Sequence, residues 1–187
     1  SNIYPIVTDG FNNYTDIEID RGNHQIYWLK RTIAPYGESF SSSPGKIQRA
    51  NLDASGIEDV VTELVISDFA LNPIENELYW INSDENKIQK SDLDGSNVQD
   101  VVVDIPVGSG QSIDSMTLNP NGQKLYWLTG NSVWRSNFDG TGMEQIRSSG
   151  VSGELKFDGE NEQLYWGRRW ESITIRVPSI NRRYRIE

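Results

Sequence analysis

The sequence predicts an all-β chain: a small β-propeller of four blades, each of four antiparallel strands, closed by the N-terminal strand on the last blade. Three observations carry that prediction. A hydrophobic–Tyr–Trp triplet occurs four times, as Ile26-Tyr27-Trp28, Leu78-Tyr79-Trp80, Leu125-Tyr126-Trp127 and Leu164-Tyr165-Trp166. Seven residues before each Tyr stands an Asp or Asn: Asp20, Asn72, Asn119 and Asp158. A basic residue follows each triplet, at Arg49, Lys90, Arg135 and Arg176, and in the first three copies an Asp four residues later opens a turn. Self-similarity of this kind is the signature of a repeat architecture.

Each element of the unit has a physical reason. The first strand ends at the Asp or Asn, whose side chain can bond backbone amides two residues on and so start a tight turn, as in Asn119-Pro120-Asn121-Gly122. The triplet is the second strand. Neighbouring residues on a strand point to opposite faces, and a blade held between two others needs large apolar groups on both, so Tyr and Trp are read as inter-blade packing. The basic strand comes third, its cation snorkelling or paired near the blade edge. Turns at Asp53-Ala54-Ser55-Gly56, Asp94-Gly95-Ser96-Asn97 and Asp139-Gly140-Thr141-Gly142 lead to a short fourth strand at Val60-Val61, Val101-Val102 and, more weakly, Ile146. Ile57, Val60, Val61, Leu64 and Val65 also fit helical spacing, but repeat register and β-branched content favour a strand at 59–62.

The two ends complement each other. Residues 1–9 align with 96–104, so the chain opens on a fourth strand whose three partners are missing, while the last unit has Ile180 in place of the turn Asp. Pairing the first strand with the last unit would remove exposed edges. The expected organisation is one propeller domain over residues 1–187, with 1–9 as closing outer strand and units at about 15–62, 67–104, 113–148 and 152–187. A share in a larger ring or in an oligomeric ring is the alternative.

In combination these features resemble the YWTD (class B) repeats of the low-density lipoprotein receptor family. The triplets, the preceding Asp or Asn, the basic strand and the Asp-Gly-Ser turn occur in that family's order, over essentially the whole chain. The Thr-Asp half of the motif is missing: Leu29-Lys30, Ile81-Asn82, Leu128-Thr129 and Gly167-Arg168 stand there. The resemblance implies protein binding in an extracellular or secreted setting, and it implies six blades where this chain has residues for four.

Composition narrows the function. Seventeen Lys and Arg against 27 Asp and Glu give a net charge of -10, which disfavours a nucleic-acid partner. No apolar run is long enough to insert in a membrane as a helix. With no Cys and one His, His24, thiolate chemistry, disulfides and multi-His metal sites are not expected, and no cofactor is implied. Asp92-Leu93-Asp94-Gly95-Ser96-Asn97 has its Gly fourth, not sixth as in a calcium-binding EF-hand, and reads as a hairpin turn. Asn13-Tyr14-Thr15 is one N-glycosylation sequon.

Candidate ligand-binding residues lie where loops break the repeat. From Tyr to the basic residue the spacing is 22 in the first unit but 11, 9 and 11 in the others. The extra residues, 30–45, bring Tyr36 and Phe40 into a Ser- and Gly-containing loop, a composition common on recognition surfaces. The last unit's equivalent loop carries Arg168, Arg169 and Trp170, residue types enriched in binding hot spots. Asp84, in the polar stretch after the second triplet, completes the set. Residues 166–187 hold six Arg and two Glu, so they carry +4 and the remainder carries -14. That asymmetry suits an anionic ligand, an electrostatic seam or pairing with another copy. The expectation is a non-catalytic recognition module whose loop face binds a protein or glycan. The alternatives are a lectin with repeated sugar pockets, and a hydrolase or lyase using carboxylates or a metal.

Overall fold

Inner strands buried on both faces, broken by tight turns, organise the chain into antiparallel meanders. The computed structural model describes residues 13–31, 44–105, 108, 111–167 and 177–178, and all of its regular elements are strands. The first sheet is β1 (Asn13–Asp20), β2 (Gln25–Arg31), β3 (Gly45–Asn51) and β4 (Glu58–Leu64), hydrogen-bonded in that order. The second is β5 (Ile66–Asn72), β6 (Glu77–Asn82), β7 (Lys87–Asp92) and β8 (Gln99–Val102). The third is β9 (Ile113–Asn119), β10 (Lys124–Thr129), β11 (Ser132–Asn137) and β12 (Glu144–Arg147). The fourth has three strands among the described residues: β13 (Glu154–Asp158), β14 (Gln163–Gly167) and β15 (Val177–Pro178). Residues 1–9, read as the closing strand, lie outside the described residues. The helix alternative over 57–66 is not realised, because β4 extends its sheet there.

The turns take the form the sequence implies. Asp20 Oδ1 accepts from Asn23 N at 3.0 Å, Asn72 Oδ1 from Ile74 N at 3.2 Å, Asn119 Oδ1 from Gly122 N at 2.9 Å and Asp158 Oδ1 from Glu160 N at 3.0 Å. The residue that closes each of these turns is left-handed: His24, Asn76, Gln123 and Glu162 have φ of 56°, 57°, 49° and 52°. At the other hairpin the Asp side chain bonds the residue two positions on. Asp53 takes Ser55, Asp94 takes Ser96 and Asp139 takes Thr141, each through the backbone N at 2.9 Å and through the hydroxyl. These bonds hold all three carboxyls below the ordinary aspartate range.

The chain divides into two compact units, Ser1–Asp100 and Val101–Glu187, with the boundary inside β8. In the first unit Tyr27, Leu29, Ile47 and Val61 of the first sheet pack on Ile66, Phe69, Leu71, Leu78, Trp80 and Leu93 of the second. In the second unit Tyr126, Leu128 and Val133 pack on Leu155, Leu164 and Trp166, and the Tyr126 and Phe157 rings stack 5.7 Å apart. Trp and Tyr of one triplet therefore serve opposite faces of their sheet. The basic strand residues are paired: Arg49 Nε with Glu58 at 2.5 Å, Arg135 Nε with Glu144 at 2.6 Å, and Lys90 Nζ with Glu77 at 2.6 Å. Glu77 also accepts from the Tyr79 hydroxyl at 2.7 Å, and burial with this carboxylate raises the phenol well above its ordinary value.

One kind of contact recurs where an Asp-Gly turn meets an outer strand. A Cβ on Gly95 would lie 2.1 Å from the carbonyl oxygen of Val60, and one on Gly140 would lie 1.8 Å from that of Val101. The Asp-Gly turn thus presses its backbone on the outer strand of the preceding sheet, where a side chain has no room. The same position in the first sheet is Ala54, with φ 68°.

Candidate functional site

Two features of the first unit collect unusual side chains. The first is the end where β1 and β5 begin and β2 and β6 finish. Register shifts between Thr15 and Ile17, and between Ile66 and Phe69, put Asp16 and Asp68 at bulges. A bulge re-aims a side chain out of the ladder's alternation. Here both acids lie near enough to Arg31 to act on its charge, and its Nη2 donates to Ser67 O at 2.9 Å. Burial pushes the Arg31 guanidinium down from its ordinary value, and Asp68 and Asp16 oppose that shift. Phe69 N donates to Asp68 Oδ1 at 2.9 Å and to Asp16 Oδ2 at 3.4 Å, so the cluster ties the first sheet to the second.

Asp84 belongs to the same end. Its Oδ2 accepts from Val65 N at 3.3 Å, while the neighbouring Ser83 hydroxyl meets that of Ser67 at 2.5 Å. The side chain is exposed. Tyr36, Phe40, Arg168, Arg169 and Trp170 lie outside the described residues. The Asp16–Arg31–Asp68 cluster was not among the sequence candidates. Its one signal is an Asp immediately before the equivalent apolar residue of the first strand in both sheets, Asp16-Ile17 and Asp68-Phe69.

The second feature is the face of the first sheet that points away from the second. Register makes Ile17 equivalent to Phe69 and Met116, Ile19 to Leu71 and Leu118, and Leu52 to Leu93 and Phe138. The second-sheet residues are at most 9% exposed and those of the third at most 7%, whereas Ile17, Ile19 and Leu52 are 61%, 53% and 46% exposed. Trp28, on the same face, is buried and donates Nε1–H to Gln48 at 3.2 Å. Scattered exposed apolar residues are ordinary; three at positions buried in the sister sheets are not.

No family model matches the sequence, and neither does any curated protein. Solved structures do match. A gluconolactonase of Xanthomonas campestris is 17% identical, with a TM-score of 0.68 over 89% of this chain and 58% of that one. A nidogen/laminin complex is 20% identical, with a TM-score of 0.63 over 80% of this chain and 54% of that one. A luciferin-regenerating enzyme is 14% identical, with a TM-score of 0.61 over 83% and 53%. The chain spans about half the length of these structures. At such identity the likeness shows the fold alone, which is all-β and of the propeller type. It corrects one expectation: two of these neighbours are enzymes, so propeller-type repeats do not license the reading of a non-catalytic module that binds ligands through its loop face. One fold serves both classes, and function must be argued from the site.

Proposed function

We propose that the chain is a divergent YWTD-type propeller segment working in protein association, and that its contact surface is the open face of the first sheet. Its partner is a β-sheet face carrying Tyr and aliphatic side chains. The carrying observation is the exposure of Ile17, Ile19 and Leu52 at positions that such a face covers in the second sheet. Membership of a nidogen structure in a complex with laminin supports association as a use of this fold. The triplets, turn caps and Asp-Gly turns support the YWTD comparison.

The absence of Cys makes the test clean. An Ile19→Cys variant is labelled with a benzophenone maleimide, irradiated in the cells that produce the chain, and its adducts are mapped by mass spectrometry. Adducts on strand peptides of a protein are expected. Adducts on lipid or glycan alone, or none, would overturn the reading. The purified chain is also assayed with gluconolactone. Turnover that survives Ile17→Asp/Ile19→Asp but is lost with Arg31→Ala would move the function to the end cluster.

A further inference from the structure

We infer that the outer strand of the third sheet carries a separate small-molecule site, a cleft centred on Arg147 that takes the carboxylate of a sugar acid. The inference goes beyond the association reading above and does not depend on it. The cleft has a volume of about 410 Å³ and is lined by Gln145, Ile146, Arg147, Ser148 and Ser149, along β12 and the turn that follows it. All five residues belong to the second compact unit.

The first argument is a break in the repeat. Leu128 pairs with Val133 and Val133 with Arg147, as Leu29 pairs with Ile47 and Ile47 with Val61. Val60 and Val101 take the same glycine contact, so Val102 is the matching residue of the second sheet. Val61 and Val102 are 7% and 3% exposed, whereas Arg147 is exposed. Apolar packing fills this position in the sister sheets, and the third sheet holds a charge there instead. The neighbouring position changes as well. Asp59 and Asp100, which pair with Lys46 and Lys87 in the first two sheets, give way to Gln145, and the lysines give way to Ser132. An ion pair internal to the sheet is thereby exchanged for a cation beside neutral groups.

The second argument is that Arg147 is held in place. Its guanidinium lies 5.3 Å from the centroid of the Trp166 ring, and its Nε donates to Ser149 O at 2.9 Å. The turn is pinned too: Ser132 Oγ donates to Ser148 O at 3.3 Å, Gly150 reverses the chain at φ 74°, and Val151 is buried in the core. With Nε engaged, Nη1 and Nη2 are the donors left for a ligand, a fork that matches the two oxygens of a carboxylate. Among the described residues no carboxylate pairs with Arg147, whereas Arg49 and Arg135 each hold a Glu. A donor ordered before its ligand arrives loses little freedom on binding.

The remaining lining selects the class of carboxylate. The Gln145 amide and the Ser148 and Ser149 hydroxyls both donate and accept, as ring hydroxyls require. The volume lies in the range of small-molecule sites. A peptide added as a further strand fits less well. β12 is the outer strand of its sheet, but the register shift at Ile146 interrupts the regular edge that strand addition uses.

The test is a saturation-transfer NMR titration of the full chain with sodium glucuronate, run beside glucose, acetate and a short peptide ending in Glu. Glucuronate should bind with a Kd of about 1 mM or tighter, and glucose and acetate about tenfold more weakly or worse. Arg147→Val installs the residue of the sister sheets, so the fold is retained, and glucuronate should weaken about tenfold or more. Arg147→Lys keeps the charge without the planar fork and should weaken it by a smaller factor. Three results overturn the inference: no transfer to glucuronate at roughly ten times that Kd, unchanged binding in Arg147→Val, or glucose or acetate binding as tightly as glucuronate. Tighter binding of the peptide overturns it as well, in favour of a peptide site.

Discussion

Replacing Gly95 by Ala puts the Asp-Gly turn to a quantitative test. Two costs are separable. Gly95 has φ 84°, a conformation that costs an L-residue about 1–2 kcal/mol. The new Cβ would also lie 2.1 Å from Val60 O and 3.0 Å from Val60 C. Both are backbone atoms of a paired strand and have little room to retreat, so overpacking adds about 1–3 kcal/mol. The sum is about 2–5 kcal/mol, which for a chain of this size lowers Tm by roughly 4–20 °C. Ala54 is the internal control, because it carries a Cβ at nearly the same dihedral, φ 68°. Ala54→Gly relieves only the dihedral and should stabilise by up to about 1 kcal/mol, the lower end of that dihedral cost. Urea unfolding at fixed protein concentration, read by Trp fluorescence, measures both. If Gly95→Ala costs no more than the dihedral term, the close approach of turn to strand is wrong.

Two further outcomes follow from the turns. Gln123 closes its turn at φ 49°, so Gln123→Gly should raise stability by up to about 1 kcal/mol, or Tm by roughly 2–4 °C; a drop would show that its side chain contributes more than its backbone loses. Asp53, Asp94 and Asp139 are held below their ordinary value by Ser or Thr donors. Because the folded pKa is depressed, the stabilisation is present above the unfolded value of about 3.9 and disappears as pH falls through the folded one. The urea midpoint should accordingly decline on the acid side of about pH 4, the unfolded aspartate range, and Asp94→Asn/Asp139→Asn should shallow that decline. An unchanged acid limb would refute it.

Much of the fold was legible because its unit is written in residues whose chemistry is local. An Asp or Asn cap, a Tyr-Trp pair and an Asp-Gly turn each specify a conformation without help from the rest of the chain. The left-handed residues were less legible: Asn76 fits the rule for φ above zero, but His24, Gln123 and Glu162 are placed there by the cap, whatever their own preference. Residues 57–66 look helical by spacing, and pairing with β3 decides against it. The Asp16–Arg31–Asp68 cluster depends on two bulges, which one sequence does not announce. Ile17 and Ile19 read like any inward strand pair, since exposure is a property of what lies opposite. Of the loop candidates, only Asp84 falls among the described residues; it was legible as a polar turn, and its bond to Val65 N was not.

The glycine seats also give the array a direction. Gly95 rests on a strand completed some thirty residues earlier in the chain, at Val60, and Gly140 rests on one completed at Val101. Each tongue enters a socket that is already finished. A ribosome releasing the polypeptide from its N-terminus therefore delivers every socket ahead of its tongue, and vectorial synthesis matches the order in which these sheets can lock.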